Sequence, residues 1–110
     1  MKKLLLIINI IIILLITGLS GCNETINLNP DVLIIASKTE GISPLTVNFS
    51  FIASNYTGII VSCWWNIENK LINKMNTNHT FIKEGRYIVK VTIEDEYGNK
   101  GSDNIEIFVY

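Results

Sequence analysis

The sequence predicts an all-β sandwich of about seven strands, and its 110 residues suit a single domain. Three observations carry that prediction. The chain is rich in Ile, Thr and Val, whose β-branched side chains suit a half-buried pleated surface. From residue 32 onward apolar and polar residues alternate with period two, in runs separated by breaks that carry Gly, Pro and Asn. No segment after residue 30 sustains a helical period. Pro and Gly usage is ordinary, which argues against collagen-like or disordered chains, and no solenoid repeat is present.

The first element is not part of the sandwich. "MKK" is a short basic start, Leu4 to Ile16 is apolar apart from Asn9, and "TGLSGC" follows. A basic start, a short apolar run and small residues mark a secretory signal over residues 1–21. The run is shorter than the roughly 20 residues that span a bilayer comfortably. The alternative is a short anchor that stays uncleaved, and both readings take the remainder out of the cytoplasm. Leu19-Ser20-Gly21-Cys22 resembles the lipobox of prokaryotic lipoproteins. That resemblance implies that Cys22 becomes the first mature residue and carries lipid. One acyl chain anchors poorly, so stable membrane attachment implies more than one. Residues 22–31 read as a polar tether, and residues 32–110 as the domain.

Within the domain "VLIIAS" is the first strand and "KTEGISP" a turn-rich break. "LTVNFSFIA" alternates, with Leu45, Val47, Phe49 and Phe51 on one face. After the "SNYTG" break, "IIVSCWWNI" is the third long run. A short edge strand is expected around Leu71-Ile72. "RYIVKVTIED" alternates again, "EYGNKGSD" is a loop, and "NIEIFVY" closes the chain.

Asp31 to Tyr110 resembles a PKD domain, the Ig-like sandwich of many prokaryotic surface proteins. "SPLTVNFS" is similar to the family's P-L-T-V-x-F-S strand. "HTFIKEGRYIVKVTIEDEYGNKGSD" is similar to its H-x-[FY]-x-x-x-G-x-Y-x-V-x-[LV]-x-V-x-D-x-x-G-N stretch. "CWWNIENK" occupies the place of Y-x-W-D-F-G-D-G: Trp65 is kept, Asn66 and Ile67 replace Asp and Phe, and "ENK" replaces the G-D-G turn. Val61, Cys63, Trp65 and Ile67 share one phase and are expected in the core. Tyr87 fits a tyrosine corner.

Catalytic chemistry has little to work with. His79 is the only histidine, so any Ser/His/Asp or Cys/His site would need it, and a hydrogen-bonded structural role is the expectation. No zinc ligand set and no phosphate-cradling glycine loop is present. Glu94, Asp95 and Glu96 are read as a solvated turn, because they lack the alternate-position spacing of a calcium loop. No cofactor, metal or catalytic residue is expected. With Cys22 lipidated, Cys63 is left without an intramolecular partner, and burial or an intermolecular bridge follows. Removal of residues 1–21 takes away Lys2 and Lys3 and no acid. Seven basic residues then face ten acidic ones, a formal charge of −3, so no nucleic-acid partner is expected. Sequons occur at Asn23, Asn48, Asn55 and Asn78, with Asn55 the best placed.

The functional expectation is a non-enzymatic, lipid-anchored module at the cell surface that binds an envelope protein or a glycan. The alternative is an architectural spacer or accessory subunit of a surface assembly. If Trp65 points inward, Trp64 points outward. A register pairing Thr92 with Asn104, Lys90 with Glu106, Ile88 with Phe108 and Arg86 with Tyr110 gathers Trp64, Ile88, Phe108 and Tyr110 on one outer face. Large exposed apolar patches mark interaction sites. The competing reading is that these side chains pair across strands or are covered by the tether through Ile26 and Leu28.

Overall fold

The computed structural model describes residues 28–110. Residues 1–27, and with them the signal segment, Cys22 and Ile26, lie outside the described residues. Eight strands follow one another: β1 (Asp31–Ala36), β2 (Glu40–Gly41), β3 (Leu45–Ser54), β4 (Ile60–Ile67), β5 (Lys70–Ile72), β6 (Thr77–Phe81), β7 (Gly85–Asp95) and β8 (Lys100–Val109). They form a three-stranded sheet in the order β1-β3-β6 and a five-stranded sheet in the order β2-β8-β7-β4-β5. This is the expected all-β, Ig-like sandwich, with one strand more than the sequence suggested. Two strands lie outside the runs singled out in the sequence: β2, two residues within the turn-rich break that pair in parallel with the end of β8, and β6, in the "HTF" stretch before β7.

The core lies where the inward phases of the two sheets meet. Val47 and Phe49 of β3, Phe81 of β6, Cys63, Trp65 and Ile67 of β4, Val89, Val91 and Ile93 of β7, and Ile107 of β8 are buried. Trp65 is at the centre, its ring centroid 5.6 Å from Phe49 and 6.3 Å from Phe51. Burial of one such aromatic removes roughly 150–250 Å² from water, worth about 4–6 kcal/mol at about 25 cal/mol per Å². Its indole Nε1–H donates to the Lys74 carbonyl at 3.1 Å, so the one polar atom of the ring is satisfied. The Cys63 thiol donates to the same carbonyl at 3.2 Å. Tyr87 makes the expected corner: its hydroxyl donates to the Lys83 carbonyl at 2.6 Å.

Four expectations are corrected. Val61 is exposed rather than core, because the ladder slips between Ile60 and Ser62. A β-bulge inserts one extra residue and reverses the phase there, so Ile60 packs on the core instead. The β7–β8 register is shifted by two: Thr92 faces Ser102, Lys90 faces Asn104, Ile88 faces Glu106 and Arg86 faces Phe108. A shift of two keeps every side chain on its expected face. The cause is the third correction. Asp95 is not part of a solvated turn but is buried. Its carboxylate accepts the backbone N–H of Tyr97 at 2.9 Å and of Asn99 at 3.0 Å, the Asn99 side-chain amide at 3.3 Å, and the Thr57 N–H at 3.2 Å. This closes the turn tightly enough for β8 to begin at Lys100, inside the stretch expected to be loop. Fourth, the Arg86 guanidinium pairs with Glu106 at 2.6 Å, where Lys90 was expected to do so.

The "ENK" segment still makes a tight hairpin. Ile67 pairs with Lys70, and Glu68 and Asn69 between them have φ of 49° and 64°. Two left-handed residues are what a two-residue I′ turn requires. The Glu68 carboxylate meets His79 Nε2 at 2.6 Å, linking this turn to the other sheet.

Candidate functional site

The outer face of the five-stranded sheet is built from the residues that alternate with the core. Trp64 follows from Trp65 by one step along β4, and its ring lies half-buried on the outside. Its cross-strand neighbour on β7 is Thr92, and beyond that lies Ser102 of β8. The Lys100 ammonium sits 5.9 Å from the centroid of the Trp64 ring, within cation–π range. The next row holds Asn66, Lys90 and Asn104, with exposed Leu71 beside Asn66 on β5. Then come Ile88 with Glu106, and Arg86 with Phe108, whose other neighbour is Glu40 of β2.

The corrected register decides which expected site residues meet. Ile88 and Phe108 are diagonal neighbours, at the roughly 7–8 Å that long side chains bridge. Tyr110 joins them. Its backbone N–H donates to the Gly41 carbonyl at 2.9 Å, and its phenol donates to the Glu40 carboxylate beside Phe108. That hydrogen bond to an anionic acceptor holds the Tyr110 phenol above the ordinary tyrosine range. Ile88, Phe108 and Tyr110 are all exposed. Trp64 stands apart. Thr92, its neighbour, is four residues from Ile88 along β7, roughly 13 Å, with a polar row between. The four residues share a face but form two groups.

Other candidate chemistry resolves into structure. The three consecutive acids diverge. Asp95 points into its cage of N–H donors, Glu96 accepts the Ile59 N–H at 3.0 Å, and Glu94 stands across from Lys100. Burial pushes the Asp95 carboxyl up, but the hydrogen bonds from Asn99, Thr57 and Tyr97 outweigh it and hold it below the usual range. Among the described residues no group of three or more His, Cys, Asp or Glu side chains is placed to hold a metal ion. Burial raises the Cys63 thiol, which disfavours the reactive thiolate. Asn48 and Asn78 face each other on the outside of the three-stranded sheet. Asn55 has φ of 59° and donates its side-chain amide to the Asn29 carbonyl at 3.3 Å. Among the described residues no helix is long and apolar enough to cross a membrane.

Sequence reasoning missed a second exposed apolar group. Leu28, Tyr56, Ile59 and Tyr97 lie in three segments that the fold brings to one end of the sandwich. The available signal was the presence of large apolar residues inside turn-rich breaks.

Comparison with solved structures identifies the same sandwich elsewhere. The PKD1 domain of the Vibrio cholerae metalloprotease PrtV superposes with a TM-score of 0.63 at 22% identity, covering 74% of this chain and 96% of that one. The PKD domain of an M14-like peptidase from Thermoplasmatales archaeon SCGC AB-540-F20 gives 0.62 at 17% identity, covering 76% and 98%. A structure of carbohydrate-binding modules from the β-sandwich superfamily gives 0.68 at 19% identity, covering 77% of this chain and 36% of that one. Comparison with curated proteins gives no match. The family profile of the PKD domain matches residues 27–109, which is most of the sequence. With that match over most of its length, the chain belongs to the PKD domain family.

Proposed function

We propose that this protein is an exported, lipid-anchored, non-catalytic binding module whose partner is a protein or glycan of the cell envelope. The observation that carries the reading is the exposed group Ile88, Phe108 and Tyr110 on the outer sheet face, where nothing in the fold requires large apolar side chains. Trp and Tyr are favoured at binding hot spots, and a surface of this kind suits a sugar ring or a partner's apolar side chain. The likeness to carbohydrate-binding modules supports the glycan alternative at the level of fold. Anchoring rests on the "LSGC" motif after the apolar run. The acidic balance of the mature chain argues against nucleic acid.

The architectural alternative has its own support. The polar row of Asn66, Lys90 and Asn104 interrupts the apolar face, as in a surface that meets only water. Capture from solubilised envelope, with the detergent-solubilised chain as bait, separates the two. Substitution of Tyr110 and Phe108 by Ala should abolish capture without loss of the fold, and Trp64→Ala should weaken it less. Full capture by the folded Phe108→Ala/Tyr110→Ala variant would leave the spacer reading. Mass spectrometry of the mature N-terminus tests the lipid on Cys22.

A further inference from the structure

The N-terminal end of the sandwich carries an apolar group that the binding-face reading does not use. Three segments meet there: residues 28–30, the β3–β4 loop (residues 55–59) and the β7–β8 turn (residues 96–99). They are tied together by hydrogen bonds, each with a backbone group on at least one side. Glu96 and Ile59 exchange two hydrogen bonds, Thr57 donates to Asp95, and Asn55 donates to the Asn29 carbonyl. Pro30 is buried against Gly101, so tightly that a Cβ at 101 would sit 2.2 Å from the Pro30 carbonyl oxygen. Four exposed side chains of this end are large and apolar. Leu28 is 53% exposed, Tyr56 42%, Ile59 63% and Tyr97 66%. Two acids of this end, Asp95 and Glu96, spend carboxylate oxygens on backbone N–H groups, while exposed Asp31 follows Pro30. The group is therefore held on a braced platform whose turn acids, Asp95 and Glu96, are already hydrogen-bonded.

What lies next to this end follows from the chain. Six residue steps separate Cys22 from Leu28, which span at most roughly 20 Å when fully extended. β7 alone, with 11 residues, is roughly 35 Å long, so the opposite end stands farther away than the tether can reach back. A lipidated Cys22 and a retained apolar run both put the bilayer on this side. We propose that the Leu28/Tyr56/Ile59/Tyr97 end seats in the lipid interface and stands the sandwich on the membrane, with Phe108 and Tyr110 facing away. The proposal rests on the anchoring reading above. Tyr rings suit the interfacial layer, where an apolar body and a wet hydroxyl are both accommodated. Apolar side chains of a docked surface reach about 5–10 Å into that layer. Attraction to anionic headgroups is not needed, because the tether supplies proximity.

The experiment reconstitutes the full chain into phosphatidylcholine vesicles with or without dibrominated acyl chains. A single environment-sensitive dye is placed at Tyr97→Cys, Ile52→Cys or Ile42→Cys. Cys63 is buried and a lipidated Cys22 has no free thiol, so the introduced thiol is the reactive one, and dye uptake by the parent chain would report an unmodified Cys22. Ile52 is exposed on the flank, two residues from the β3 end at Ser54, and Ile42 at the opposite end, beside the pairing of Gly41 with Val109. The expected result is co-sedimentation of all three variants, with a blue shift and loss of emission to brominated lipid at position 97 alone. Co-sedimentation with position 97 as unquenched as position 42 would overturn the seat and leave the anchor standing. Quenching at position 52 instead would overturn it in favour of a domain lying on its flank. A blue shift at 97 without quenching would overturn it in favour of a second copy or another protein covering this end. Failure of the chain to sediment would overturn the anchor, and the seat with it. As a second readout, Tyr56→Ser/Tyr97→Ser should reduce protection of the Ile59–Glu96 region from proteases on vesicles but not in detergent. Unchanged protection would count against the seat.

Discussion

Trp64 and Trp65 are the same residue in adjacent positions, yet they live on opposite sides of one sheet. Trp65 is wholly buried, with two aromatic neighbours and its indole N–H bonded to the Lys74 carbonyl. Trp64 is half-buried beneath Lys100, flanked by Thr92 and Ser102. The difference teaches that identity and sequence neighbourhood say little about a strand residue's role. Strand phase assigns each residue to core or surface, and register then decides which surface neighbours it meets.

The largest break in that comparison is Trp65→Ala. It should cost about 3–5 kcal/mol, as other large-to-small aromatic changes in cores do. Against a total of about 5–15 kcal/mol, chemical denaturation should show a domain barely folded or unfolded. Next comes Asp95→Asn. The amide keeps the shape but presents an NH₂ group to donors, leaving N–H groups of the turn without an acceptor. The loss should be smaller than for Trp65→Ala and larger than for any outer-face change, read as a lower denaturation midpoint. It should also change the pH profile. The folded Asp95 carboxyl is held below its ordinary value, so its stabilising contribution is present above about pH 3.9 and is lost as pH falls below that. Wild type should lose stability more steeply than Asp95→Asn in that acid window, and equal slopes would show that the cage does not depend on charge.

The inner face also predicts protection of Cys63. In the folded protein a thiol reagent should modify it far more slowly than in denaturant, because it is buried and its thiol is pushed up. Rapid labelling would mean that the β4 phase is wrong. The smallest effect is expected from Trp64→Ala. It removes a half-buried ring and a cation–π contact worth about 0.5–1 kcal/mol at exposed sites, so stability should fall by no more than about 1–2 kcal/mol. A loss as large as that of Trp65→Ala would erase the distinction between the two faces.

Period two made much of this readable in advance. β3 and β7 follow from alternation and β1, β4 and β8 from β-branched and apolar runs between turn signals, while phase gives the burial of Trp65 and Cys63 and the outward direction of Trp64, Ile88, Phe108 and Tyr110. What alternation cannot carry is counting. The extra residue at Val61 leaves no mark in composition, and two-residue β2 is too short to show a period. The register of β8 depends on a carboxylate, Asp95, that reaches Thr57 from 38 positions away. The site was therefore readable as a face but not as a grouping: the β4–β7 register sets Trp64 opposite Thr92, four residues from Ile88, and the two-residue shift of β8 carries Phe108 and Tyr110 farther off. The apolar end was invisible for a related reason: its four residues come from segments that only tertiary contacts unite.

Gly101 gives the tether a fixed origin. With the Pro30 carbonyl lodged where a side chain would be, the chain always leaves the sandwich from the same point. On the anchoring proposed above, the six residue steps from Cys22 to Leu28 set the greatest distance between that point and the bilayer. Each residue inserted there should raise the permitted height of the domain by at most about 3.5 Å without touching a core contact. Gly101→Ala would instead displace the zero mark itself. On that proposal the reach of the anchor and the fold vary independently, and one glycine is the joint between them.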